Sequence, residues 1–169
     1  MARTLLLRPR LGGAAAAVAT YAHARDTPPM SSANLDLVRS IFAAWERGDF
    51  SSAEWAHPEI EYLSDDPLLP LGHTTGVAGM AEIWRNWLRA WREFHADADR
   101  YHEVDGERVL VLLRYSGRGN PSGLEVAPIE AASLFHIRDR KVMRLVLYLD
   151  RERALADAGL SPDTGPSRS

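Results

Sequence analysis

The second half of this chain limits what it can fold into, because strand-like segments follow one another there with short turn signals between them. His95 to Glu103 is a polar segment that ends at Asp105-Gly106, a two-residue hairpin signal. Val109 to Ser116 is strongly apolar, and Gly117 to Gly123 is a glycine-rich loop. Val126 to Arg138, with a bend allowed at Pro128, turns through Asp139-Arg140 into Val142 to Leu149. Four such segments joined by short loops pair as an antiparallel meander. A sheet of this kind has an apolar face that another layer must cover.

The preceding residues supply that layer. Leu35, Val38, Ile41, Phe42 and Trp45 recur at helical spacing, with Asn34 as an N-cap and Gly48 as a stop. Ser51 or Ser52 caps a predicted second, short helix through Trp55, which Pro58 ends. Ile60 to Leu63 alternates like a strand, and Asp65 to Thr75 reads as loop, marked by Pro67, Pro70 and Gly72. A long helix is predicted from Val77 to Phe94. It carries Met80, Trp84, Trp87, Leu88 and Trp91 on one stripe, with Arg85, Arg89 and Arg92 off it. Such a stripe serves either as core against a sheet or as the wall of a pocket for a flat, apolar ligand. Asp150 to Ala158 reads as a closing helix capped by Gly159. The fold class expected is therefore α+β: a curved antiparallel sheet wrapped over a long helix, with two further N-terminal helices.

Composition changes at both ends. Residues 1–31 hold Arg3, Arg8, Arg10 and Arg25 against Asp26, and an alanine run from Ala14 to Ala17. They read either as an extension upstream of a start at Met30 or as a signal-like leader with Ala22-His23-Ala24 as cleavage site. The first reading implies a cytoplasmic protein, the second a secreted one that loses residues 1–24. Residues 32–160 form the expected domain, and residues 161–169 read as a disordered tail.

Several function classes receive no support. The formal net charge of -3 is not the footprint of a nucleic-acid binder. No apolar run approaches the roughly 20 residues that span a bilayer. The absence of cysteine removes disulfides, thiolate ligands and a cysteine nucleophile. The histidines at 23, 57, 73, 95, 102 and 136 lack the close spacing of a zinc helix, so no metal is expected. Gly117-Arg118-Gly119-Asn120 is followed by no helix to hold a phosphate, and no cofactor is expected.

The ordered set of motifs resembles a SnoaL-like domain of the nuclear transport factor 2-like superfamily. Ile41-Phe42-Ala43-Ala44-Trp45-Glu46-Arg47-Gly48-Asp49-Phe50 resembles its first helix and turn. His57-Pro58-Glu59-Ile60-Glu61-Tyr62 resembles its first strand. Gly76 before the tryptophan helix, Val104 to Val109, and Arg138 to Val142 ending in Tyr148-Leu149-Asp150 follow in order. The resemblance spans about Asn34 to Leu160 and implies a cone built around one small-molecule pocket. It does not fix an activity, because the superfamily holds cyclases, isomerases, epoxide hydrolases, dehydratases and binding proteins. The Asp-Arg-Asp set of the epoxide hydrolases falls at about Tyr115, Leu113 and Leu147, which cannot move protons.

A two-residue turn at Asp139-Arg140 pairs Arg138 with Lys141, His136 with Met143, Leu134 with Leu145 and Ala132 with Leu147. His136, Leu134, Ala132, Met143, Leu145 and Leu147 then share the concave face. Phe135, Ser133, Arg144, Val146 and Tyr148 fall on the convex face, where an apolar patch with Leu110 and Leu112 suggests a homodimer. Two readings follow. One is a binding protein for a small, neutral, apolar ligand, contacted by Trp84, Trp87, Trp91, Leu113, Leu134 and Leu147. The other is a cyclase- or isomerase-type enzyme acting on a hydrophobic ketone, with His136, Tyr62, Tyr115 and Asp65 as acid, base and hydrogen-bonding groups. In both, the pocket lies between the tryptophan helix and the concave sheet.

Overall fold

The structure is a computed structural model that describes residues 32–65 and 72–162. The expectations for the leader, the tail from Asp163 and the Pro67–Pro70 stretch lie outside the described residues.

The first helix, α1 (Ser32–Glu46), buries Val38, Ile41, Phe42 and Trp45, as its periodicity requires. It starts ahead of Asn34, whose side-chain amide instead donates to the Gly106 carbonyl at 2.9 Å. Gly48 does end it. With φ at 79° it donates to the Trp45 carbonyl at 2.8 Å, and Asp49 N–H donates to the Ala44 carbonyl at 2.9 Å.

The second N-terminal helix expected at Ser51–Trp55 does not form. The Asp49 carboxylate takes both the Ser51 N–H at 3.1 Å and the Ser51 hydroxyl at 2.6 Å, so the capping group is already engaged. The segment before Pro58 is also too short to repay helix nucleation.

β1 (Ala56–Ser64) is followed by a short strand, β2 (His73–Thr75), in a stretch read as loop from its prolines and glycine. β2 pairs antiparallel with β1, Tyr62 opposite Thr74. α2 (Val77–Arg89) is shorter than expected. Trp91–Phe94, read as its last turn, instead opens β3 (Trp91–Glu103). β4 (Arg108–Gly119), β5 (Glu125–Arg138) and β6 (Lys141–Tyr148) complete the meander, and α3 (Arg151–Asp157) closes the fold. The six-stranded sheet runs β2-β1-β6-β5-β4-β3. It is mixed rather than wholly antiparallel, because β1 lies parallel to β6 with Tyr62 opposite Leu145.

The turn at Asp139-Arg140 has the expected length, with φ of 50° and 62° at its two residues. Arg138 pairs with Lys141 as expected. The ladder then slips: Ile137 lies opposite Val142, but His136 lies opposite Arg144. Met143 is the extra residue of a β-bulge. From there on, one strand has changed face relative to the sequence expectation. Leu145 and Leu147 do face the core with α1. Their partners on β5 are Phe135 and Ser133, not Leu134 and Ala132. Leu134, Ala132 and His136 therefore lie on the outer face. On β4 the inward set Val109, Val111, Leu113 and Tyr115 is buried as expected.

The outer face also differs from expectation. α3 lays Ala154, Leu155 and Ala158 over Leu110, Ala132, Leu134, Val146 and Tyr148. Phe135, assigned to an apolar dimer face, is buried inside. The patch that motivated a homodimer is thus covered by the chain's own helix. Asp150 caps that helix, accepting from the Glu152 and Arg153 N–H groups at 3.0 and 3.2 Å. Arg151 fastens it to three strands, donating to the Leu113 carbonyl and the Asp99 carboxylate at 2.6 Å and to the Ala131 carbonyl at 3.1 Å.

Arg140 holds a left-handed conformation that glycine adopts without steric cost. Arg140→Gly is expected to raise stability by about 1 kcal/mol, read as a higher midpoint of urea unfolding. A lower midpoint would mean that the arginine side chain, not the turn conformation, sets the energy there.

Candidate functional site

A cleft of about 490 Å³ lies between the segment 48–55 and one side of α2. Four aromatic residues line it, Trp45, Phe50, Trp55 and Trp84, together with Met80 and Leu88. Phe50 stacks on two of the other rings, whereas Trp45 is tilted 43° to Trp84 and meets Trp55 edge-on at 78°. Phe50 and Trp84 lie 6.0 Å apart at 20°, and Trp45 and Phe50 lie 6.2 Å apart at 25°. Trp45 also meets Trp84 at 5.5 Å. Large, rigid aromatic surfaces suit an apolar ligand.

The irregular 48–55 wall is held in place by its own hydrogen bonds. Besides the Gly48 and Asp49 bonds to α1, the Trp55 indole N–H donates to the Ser52 carbonyl at 2.9 Å, and Ala56 N–H to the Ala53 carbonyl at 3.0 Å. Lys141 Nζ on β6 donates to the Glu54 carbonyl. The Ser51 contacts hold the Asp49 carboxyl below its usual range.

Trp84 is shared between this cleft and the interior. Behind it lies a void of about 10 Å³, bounded by Tyr62, Ile83, Trp84, Trp87, Tyr115 and Leu147. This is where the sequence places the main pocket. The void is closed because the aromatic side chains fill it: Trp87 lies 6.4 Å from Tyr115, Phe94 lies 5.4 Å from Tyr115, and Trp84 lies 6.2 Å from Tyr62. The space left is about that of one water. Burial raises the pKa values of the Tyr62 and Tyr115 phenols far above the ordinary tyrosine value. The nearby Tyr115 adds to the effect at Tyr62, and a hydrogen bond with Ser133 partly offsets it at Tyr115. Both phenols therefore stay protonated and neutral.

The residues singled out in the sequence thus separate into groups. Tyr62, Tyr115, Trp84, Trp87 and Leu147 meet around the interior void. Leu113 is fully buried in the core, and Trp91 packs at 5.6 Å from Trp87 from its place on β3. Leu134, His136 and Asp65 are on the other side of the sheet. There they border a shallow polar hollow of about 270 Å³ with Arg108, Arg144, Tyr148 and Asp157. Burial lowers the His136 pKa, and the Arg144 and Arg108 charges lower it further. Asp65 pairs with Arg153 at 2.7 Å. Burial and the Asp157 carboxylate, 3.1 Å from its hydroxyl, push the Tyr148 phenol up to about 12. His136 and Asp65 consequently do not converge with the two interior tyrosines.

Sequence reasoning missed Phe50 and Trp55 as cleft residues because it assigned Ser51–Trp55 to a helix, and Arg85 because it lies off the tryptophan stripe. The signal was present in Gly48-Asp49-x-Ser51: a helix stop followed by an aspartate two residues before a serine. Among the described residues no group of three His, Asp or Glu side chains is placed to hold a metal ion. No helix among them is long and apolar enough to cross a membrane.

Solved structures with this arrangement are numerous but distant. A SnoaL-like protein from Jannaschia sp. CCS1, which carries a provisional polyketide cyclase name, is 16% identical with a TM-score of 0.63; the match covers 81% of this chain and 99% of that one. TerC, crystallised with polyporic acid, is 18% identical with a TM-score of 0.60, over 75% of this chain and 98% of its own. A nuclear transport factor 2-like protein of unknown function from Burkholderia pseudomallei K96243 is 18% identical with a TM-score of 0.62, over 73% and 95%. At these identities the likeness shows the fold alone. None of the curated proteins matches the sequence. The SnoaL-like domain family matches residues 38–145. That match spans most of the chain and runs from the helix that carries Phe42 and Trp45 to the inward Leu145 of β6, so the chain belongs to the SnoaL-like domain family.

Proposed function

We propose that this chain is a small-molecule-binding SnoaL-like protein whose ligand site is the aromatic cleft between residues 48–55 and α2. The observation that carries this reading is a space of about 490 Å³ lined by Trp45, Phe50, Trp55 and Trp84, in which Phe50 stacks on both Trp45 and Trp84. A flat, largely apolar molecule buries area there that water would otherwise cover. The similar TerC was crystallised with a small molecule, polyporic acid.

The alternative is acid–base catalysis on a hydrophobic ketone, in the manner of the cyclases whose name the Jannaschia protein carries. Tyr62 and Tyr115 support it as a pair of neutral donors that could hold a carbonyl oxygen. The described residues around their void are otherwise apolar, and a cyclase or isomerase also needs a proton acceptor. Binding is therefore the better supported reading.

Titration calorimetry with a planar aromatic ketone, 2-acetylnaphthalene, tests the site. Ala81→Trp, which fills the cleft from α2 without removing any core side chain, should weaken binding at least about ten-fold. Trp84→Ala should weaken it similarly by removing the stacking surface. Unchanged affinity in Ala81→Trp would place the ligand elsewhere.

A further inference from the structure

Resting on the cleft assigned above, we propose that its ligand is a planar aromatic acid whose anionic group pairs with Arg85. Arg85 is the one charged side chain among the described residues lining the cleft. It is exposed on α2, next in sequence to Trp84, and shares no ion pair or hydrogen bond with any described side chain. Seven of the thirteen other described arginines have carboxylate partners: Arg108 with Asp105, Arg114 and Arg151 with Asp99, Arg118 with Glu93, Arg138 with Glu107, Arg144 with Glu61 and Arg153 with Asp65.

Neither Asp49 nor Glu82 forms an ion pair with it. Asp49, on the adjoining segment, is held by Ser51 and borders a neighbouring hollow together with Glu54, Arg140 and Lys141. Glu82 is exposed on α2 and makes no ion pair with Arg85. An uncompensated guanidinium at the lip of an apolar aromatic wall offers two kinds of contact side by side. The rings cover the flat body of the ligand, and the planar fork of the guanidinium matches a carboxylate at its edge. A phosphate ester would find no second cation among the described cleft residues, and a neutral hydrocarbon would leave the arginine unused.

The test compares two probes of the same shape, 2-naphthoate and 2-naphthamide, by titration calorimetry on the full chain. The acid should bind the native protein about five-fold more tightly than the amide at low ionic strength. That preference should shrink as salt is raised. Arg85→Met should bring the ratio of the two affinities to about one, and Arg85→Lys should keep part of the preference. Equal binding of acid and amide to the native protein would overturn the role of Arg85 and leave the cleft standing. A persistent acid preference in Arg85→Met would assign the anion to another group. If neither probe binds, and 2-acetylnaphthalene does not bind either, the cleft itself is not the site.

Discussion

Phe42→Ala is expected to lower the free energy of unfolding by about 3–5 kcal/mol. Phe42 is fully buried, and its ring meets those of Trp45 at 4.9 Å, Tyr101 at 5.9 Å and Phe135 at 6.0 Å. It therefore ties α1 to β3 and β5 at a single point. Rigid aromatic neighbours cannot collapse into the space left behind, so both the lost transfer energy and the cavity count in full. Urea unfolding should show a lower midpoint with an unchanged slope. Phe42→Leu, which keeps most of the volume, should cost far less and remain folded for comparison. A loss below about 1 kcal/mol for the alanine variant would mean that α1 does not pack on the sheet as described.

Gly117→Ala should cost about 3 kcal/mol or more, although it adds only one methyl group. A Cβ at this position would lie 2.0 Å from the Glu93 carbonyl oxygen, and φ is 149°. The obstacle is backbone and cannot swing away. Relief requires parting β3 from β4 where the ladder is already irregular, between Trp91 and Glu93 and between Tyr115 and Gly117. Gly119→Ala two residues on is the control. There the nearest atom is the Ser122 hydroxyl oxygen at 3.3 Å, and a cost within about 1 kcal/mol is expected. Similar midpoints for the two variants would remove the bulge as the reason for a glycine at 117.

How much of this was legible in the sequence depends on whether each feature is set by local or distant contacts. α1 was legible because its period and its stop at Gly48 are local. The inward face of β4 was legible because Val109, Val111, Leu113 and Tyr115 alternate cleanly. The β5–β6 turn was legible, but the bulge after it was not. Met143 is as apolar as its neighbours, and nothing in the alternation marks it as the residue left over. That slip moved His136 and Leu134 out of the expected site and brought Phe135 in.

Local pattern also failed where tertiary pairing decides conformation. Trp91 and Phe94 continue the helical stripe, yet they extend as strand because they pair with Gly119 and Gly117. The interior tyrosines were placed correctly. The pocket around them was not, since periodicity says which residues face one another but not whether their volumes leave a gap. The outer cleft was missed because its wall is an irregular segment set by the Asp49–Ser51 bonds and by contacts such as that of Lys141 with the Glu54 carbonyl, far apart in sequence.

α3 is joined to β6 only through Leu149 and Asp150, so the helix that shields the outer sheet face is present at a high effective concentration whatever the protein's own concentration. Shielding by a tethered helix does not dissolve on dilution, whereas shielding by a second copy would. It depends instead on the undocking equilibrium of a seven-residue helix. Each opening presents Leu110, Leu134, Val146 and Tyr148 to solvent as a ready-made aggregation surface. Slow precipitation of this chain should therefore follow the grip of Asp150 and Arg151 on α3 more closely than the stability of the core.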